Sequence, residues 1–295
     1  MMRSTLRPLV FAAALLAGFV RAEPPQPDFA ADLRARYEEY RGALERNDFG
    51  KPLRLLSTED SGSNKGEVYA VVDTPFSTVA AGFANAAQWC DVLILPFNTK
   101  HCRAAEEGGK TLLLVRVGRK SSQPAEEASR LDFRYQAETR RTDYFRSTLE
   151  APKGPVGTKD YRIALEAIPL DARRTFIHLS YSYGFGTMSR LAMAAYLGTA
   201  GRDKIGFTLS GKDDAGKPVY IGGLRGATER NAMRYFLAIE AYLGSLSAPE
   251  RERVAKRLAD WFAATERYPR QLHEMDRAEY LAMKEKETQR VGEVL

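Results

Sequence analysis

Motifs that carry out reactions are mostly absent from this chain. Histidine occurs three times, at positions 101, 178 and 273, and cysteine twice, at Cys90 and Cys102. His101 beside Cys102 would have to recruit further ligands from elsewhere to hold a metal, so none is expected. A disulfide between the cysteines would close a short loop and contribute on the order of 3 kcal/mol in the chain-entropy model. Two separate buried thiols are the alternative. Gly184-Phe185-Gly186 lacks the third glycine of a dinucleotide loop. Ser180-Tyr181-Ser182-Tyr183-Gly184 supplies no nucleophile elbow. Gly222-Gly223-Leu224-Arg225-Gly226 reads as a hinge into the helix that follows.

His178 alone among the histidines falls inside a predicted strand. Facing inward it would be a polar anchor or general base. Ile177, Leu179, Tyr181 and Tyr183 form the more apolar alternate set, which puts His178 on the opposite, wetter face. Arg162 and Glu166 fall on that face by the same parity, so no acid–base pair is forced inside. The aromatic residues carry more information. Phe133, Tyr135, Phe145, Tyr161, Ile163, Tyr181 and Tyr183 are predicted to point inward from several strands. Trp89 and Phe97 would close one end, and Met188, Met193, Met233 and Phe236 the other. Taken singly, each is accounted for by core packing. Tyrosine hydroxyls can also orient a polar head while their rings form an apolar wall, and methionines adapt to varied shapes.

The elements that must position these residues follow from hydrophobic periodicity. Arg3 and Arg7, the apolar run Leu9–Val20 and the small residue Ala22 make a secretory signal cleaved near Ala22, which predicts a periplasmic or secreted protein. An uncleaved N-terminal anchor is the alternative. The full chain carries 44 basic and 38 acidic residues. Three arginines and no acid leave with the signal, so the mature balance is 41 against 38, a net of +3. That charge, without a basic block interleaved with aromatics, gives no reason to expect nucleic acid. Weak attraction to a membrane surface is compatible with it.

Asp28–Asn47 reads as an amphipathic helix striped by Phe29, Leu33, Tyr37, Tyr40 and Leu44. Leu53–Thr58 and Glu67–Val72 read as strands. Pro75 then opens a helix expected to run unbroken to Trp89-Cys90. Strands are predicted over Thr111–Val117, Leu131–Glu138, Asp143–Glu150, Tyr161–Glu166 and Thr175–Tyr183, an antiparallel meander. A short helix striped by Met188, Leu191, Ala192, Ala195 and Tyr196 and ending at Gly198, then a hairpin around Gly211–Gly216, precede a long helix over Arg225–Leu246. Ser247 and Glu250 are spaced as a capping box for another helix. The charged stretch beyond Tyr268-Pro269 is expected to be a solvated helix with a loose end.

The strand Glu67–Val72, the Pro-led helix with Phe76 and Val79, Trp89 near the next turn, the strand-rich region Leu112–Tyr183 and the helix Arg225–Leu246 resemble START-like proteins of the SRPBCC, or helix-grip, superfamily. The resemblance covers roughly residues 53–246. It implies an α+β fold in which a curved antiparallel sheet wraps around a long C-terminal helix and encloses a cavity, here with extra N- and C-terminal helices. The division expected is a signal peptide over 1–22, an N-terminal helix over 23–51, a helix-grip domain over 52–247 and a helical extension over 248–295. A sheet bent around space makes the inward aromatics and methionines the lining of a ligand site rather than mere packing. The implied function is binding or transport of a lipid or other hydrophobic small molecule, with no cofactor. A lid would come from Gly184–Gly201 or from the Arg225 helix. The superfamily also includes cyclases and hydrolases, so an enzyme on the same scaffold is one rival. An accessory protein docking on a membrane complex through its terminal helices is the other.

Overall fold

The computed structural model describes residues 28–199 and 201–291, apart from some side chains within the strand around Glu138 and the helix around Met188. The expected signal segment lies outside the described residues. Helix α1 (Phe29–Glu45) is followed by the hairpin β1 (Leu53–Glu59) and β2 (Ser63–Val72), then α2 (Phe76–Phe83) and α3 (Ala86–Leu93). Six strands come next: β3 (Thr99–Glu107), β4 (Lys110–Val117), β5 (Ser129–Arg141), β6 (Tyr144–Lys153), β7 (Thr158–Pro169) and β8 (Thr175–Phe185). After them come α4 (Thr187–Gly198), the small hairpin β9 (Leu209–Lys212) and β10 (Pro218–Tyr220), and α5 (Gly223–Ser245). The chain closes with α6 (Glu250–Thr265), α7 (Pro269–Leu272) and α8 (Arg277–Gln289).

Eight strands form one antiparallel sheet in the order β1-β2-β8-β7-β6-β5-β4-β3. Side-chain alternation separates its two faces. Val68, Leu113, Phe133, Leu149, Ile163, Leu165, Ile177 and Leu179 belong to the main core, which α5 covers. Tyr69, Tyr144, Ile168 and Phe176 face the other way and are covered by Ala30, Leu33, Tyr40 and Leu44 of α1. Helix α5 approaches β2 closely because Gly66 lies beneath it. A Cβ there would sit 2.9 Å from the Ala232 Cβ and 3.2 Å from Thr228.

Four local expectations need correction. The helix after Pro75 is broken into α2 and α3. Asn85 adopts an extended conformation (φ −128°, ψ 137°) and forms a reciprocal capping box with Gln88. A side chain that competes for backbone donors favours a helix start over a helix interior. The break lets Phe83 and Trp89 both bury, with ring centroids 5.0 Å apart. Strand β3 was not anticipated: the first strand expected after the helix begins at Thr111. Ser247 caps nothing by side chain; α6 starts at Glu250, after Pro249, and no side-chain cap is made. Proline disfavours helical geometry in the residue before it, so the helix cannot begin earlier. The charged tail, finally, is packed. Tyr280 and Lys284 of α8 are fully buried; Tyr280 donates to the Leu95 carbonyl at 3.1 Å and Lys284 to that of Thr99 at 2.7 Å.

The apolar faces of the terminal helices are used inside the molecule. Leu258 and Trp261 of α6 and Leu272 of α7 join the main core with Tyr280. Phe29 and Val254 are the exposed large apolar residues on these helices among the described residues. The cysteines are joined: Cys90 of α3 and Cys102 of β3 form a disulfide with Cα atoms 5.3 Å apart, a normal separation. It ties the helix pair to the edge of the sheet, both sulfurs lying in the buried core.

Candidate ligand-binding site

Between the helix-side face of β7 and β8 and the N-terminal half of α5 the core is not filled. A cavity of about 370 Å³ is lined by Pro96 and Asn98 after α3, Val117 of β4, Leu131 of β5, the 155–158 turn, Tyr161, Tyr181, Met193 of α4, and Asn231, Arg234 and Tyr235 of α5. An adjoining lobe of about 280 Å³ shares Asn98, Tyr161, Tyr181, Met193, Asn231 and Arg234 and adds Phe97, Lys120, Tyr183, Lys204, Leu224, Ala227 and Arg230. These volumes suit a small organic molecule. Alternation along β8 brings Tyr181 and Tyr183 to the same face. Leu224, Ala227, Asn231, Arg234 and Tyr235 share one side of α5 by helical spacing.

The tyrosines form a cluster. Tyr161 stacks on Tyr183 at 5.5 Å, Tyr181 lies 5.7 Å from Tyr183, and Tyr235 lies 5.3 Å from Tyr181, all between ring centroids. The Tyr161 hydroxyl meets Thr158 Oγ1 at 2.9 Å, and Asn64 Nδ2 donates to the Tyr183 hydroxyl at 3.3 Å. Burial raises Tyr161, Tyr181 and Tyr235 above the ordinary phenol range. At neutral pH they are therefore uncharged phenols, suited to hydrogen bonding rather than to proton abstraction.

One end of the site is cationic. Glu274, in the segment between α7 and α8, accepts from Arg234 Nη2 at 2.6 Å, Lys120 Nζ at 2.5 Å and Lys204 Nζ at 2.7 Å. Burial alone would raise this carboxyl, but Arg234 and Lys120 hold it down at about 2. Arg234 also donates to the Leu272 carbonyl at 3.3 Å and lies over the Phe97 ring at 5.9 Å.

No family model matches the chain, and no curated protein matches it. Similar solved structures include norcoclaurine synthase from Thalictrum flavum (12% identity, 49% of this chain and 91% of that one, TM-score 0.31). The ZhuI aromatase/cyclase from Streptomyces sp. R1128 is 15% identical over 73% of this chain and 94% of its own, with a TM-score of 0.30. Ara h 8.0201 is 11% identical over 62% and 99%, with a TM-score of 0.35. The chain's own topology decides the matter: a strand pair, two short helices, a six-strand antiparallel meander that returns to pair with β2, and one long helix packed across the same face. The chain has the helix-grip fold.

In this helix-grip cavity the structure assembles five of the anticipated residues: Phe97, Tyr161, Tyr181, Tyr183 and Met193. Trp89, Phe133, Phe145, Ile163, Met233 and Phe236 are buried in the packed core and line neither lobe. Tyr135 is half-buried and donates to the Phe83 carbonyl at 2.8 Å, away from the site. Met188 lies within α4 with its side chain outside those described. Asn98, Asn231, Arg234 and Tyr235 were not anticipated. His178 is on the outer face as parity required. It is held there between Glu166 (2.8 Å) and Glu67 (3.0 Å) and stacked on Tyr69 at 4.2 Å.

Proposed function

We propose that this protein binds a lipid or another hydrophobic small molecule in the cavity between α5 and strands β7 and β8, and that it does so in the periplasm or outside the cell. The observation that carries the proposal is the unfilled space itself, walled by Pro96, Val117, Leu131, Met193 and the tyrosine cluster. Leaving apolar surface in water costs about 25 cal/mol per Å², so a walled apolar space favours an apolar guest without any cofactor. Neutral phenols and the Asn98 and Asn231 amides supply directional contacts, which makes binding the chemistry that this lining performs best. Helix α4 is the lid in this account, since Met193 reaches both lobes while α5 is anchored by Gly66 beneath it and by α6.

The direct test is to purify the protein from its own host compartment, extract it with organic solvent and identify the contents by mass spectrometry. A stoichiometric hydrophobic species is expected. Repeated extracts that are empty, together with failure to take up the neutral fluorophore N-phenyl-1-naphthylamine, would refute the proposal.

A further inference from the structure

We infer that the ligand carries an anionic head group, a carboxylate, phosphate or sulfonate, held at the end of the cavity where Lys120 and Lys204 stand beside Arg234. The inference rests on the cavity being a ligand site and concerns which ligands it takes.

The smaller lobe is lined by four cationic side chains, Lys120, Lys204, Arg230 and Arg234. Lys120, Lys204 and Arg234 converge on one carboxylate, Glu274, whose Oε1 is shared between Lys120 and Arg234. The side chain of Arg234 is 7% exposed, and its Nε has no hydrogen-bond partner among the described residues. Burial, and then the nearby Arg234 charge, pull Lys120 down to about 8; burial also lowers Arg234. Three cations on one carboxylate leave a net positive charge, and Lys120 and Lys204, with side chains 38% and 31% exposed, can turn a donor toward an anion in the lobe. Each ammonium has three donors, so both lysines retain capacity after serving Glu274. The tyrosine-lined lobe beside them is wide enough for an apolar body. Together they describe an amphiphile whose charge sits at Lys120 and Lys204 and whose body lies against Tyr161, Tyr181 and Met193.

The test uses two fluorophores that differ by a single group, 1-anilinonaphthalene-8-sulfonate and its uncharged parent N-phenyl-1-naphthylamine. Charge-assisted hydrogen bonds to the sulfonate should make the anion bind about tenfold tighter. In the Lys120→Gln, Lys204→Gln double variant that preference should vanish while the neutral probe binds as before. Lys204→Gln alone, which leaves the Lys120 and Arg234 pairs on Glu274, should lose part of it if the double variant fails to fold. Asn231→Trp, which fills the shared wall, should weaken both probes. Dodecanoate and dodecyl phosphate should displace the anionic probe better than dodecanol does, and their order distinguishes a carboxylate from a phosphate head. Equal affinity for the two probes, or a preference that survives the lysine changes, overturns the inference and leaves the cavity as a ligand site. Probe affinities that Asn231→Trp leaves unchanged put the binding elsewhere and overturn the inference and the site alike. Binding of neither probe overturns both.

Discussion

Arg234 of α5 and Glu274, forty residues later, meet at 2.6 Å with both side chains almost fully buried. This pair pins the α7–α8 connection to the helix that borders the cavity. Glu274 is held at about 2, below the ordinary carboxylate value of 4.5. A depressed carboxylate stabilises the fold above its unfolded pKa, and that contribution is lost as pH falls through the folded value. Unfolding measured by urea at stepwise pH should therefore show roughly 3 kcal/mol lost between about pH 5 and pH 2 from this group. In Glu274→Gln, which leaves three cations facing a neutral amide, the protein should be destabilised at pH 7 by about 3–5 kcal/mol. Unchanged stability in the variant would contradict the role given to the pair.

His178 gives the opposite pH sign. Burial lowers its pKa, but hydrogen bonds and charge from Glu166 and Glu67 outweigh burial, and the net shift is upward from 6.5. Its stabilising contribution is complete below the unfolded pKa and disappears as pH rises through the higher folded one. His178→Gln should cost about 2 kcal/mol at pH 6 and progressively less toward pH 9 in paired thermal denaturations. A cost that grows with pH would show that the imidazole is held neutral.

The Cys90–Cys102 bond closes a short loop between α3 and β3. Replacing both cysteines with alanine should lower stability by about 2–4 kcal/mol, from the loop and from lost buried volume. Because Cys90 and Cys102 lie in the core and not in the cavity lining, affinity for N-phenyl-1-naphthylamine should be unchanged in the folded fraction. Loss of binding without loss of stability would place the bond in the site.

Gly66 sets the spacing between β2 and α5. Gly66→Val forces atoms into Ala232 and Thr228 and should cost about 1–3 kcal/mol, read from the midpoint of denaturant unfolding. A neutral variant would mean that α5 is free to shift outward.

The sheet was largely legible because antiparallel strands with one buried face alternate in hydrophobicity. Ile177, Leu179, Tyr181 and Tyr183 were separable from His178 on that ground alone. Strand β3 was missed because Thr-Lys-His-Cys-Arg-Ala-Ala-Glu-Glu has no apolar alternation. Its buried Lys100 donates to the Phe97 carbonyl and pairs with Glu287 of α8, 187 residues further along the chain. The same long-range pairing disguised α8, whose lysine and glutamate positions read as solvent-facing although Lys284 is buried against Thr99. The cavity was half legible. Aromatic parity located Tyr161, Tyr181 and Tyr183, but parity cannot tell a ring that fills the core from one that borders space. Asn231 and Arg234 sit in a helix whose apolar positions pack onto the sheet, and polar residues between them look like its wet side. Only Glu274 and the lysines beside it reveal an interior role for Arg234.

The central claim is that a hydrophobic guest occupies the space bordered by the tyrosine cluster. Incorporation of 3-fluorotyrosine and titration with N-phenyl-1-naphthylamine, followed by fluorine NMR, tests it most directly. Saturable shifts in the resonances of Tyr161, Tyr181, Tyr183 and Tyr235, assigned by single Tyr→Phe variants, are the predicted result, with Tyr37 and Tyr40 of α1 unmoved. Shifts confined to Tyr37 and Tyr40, or none at saturating probe, would contradict the account.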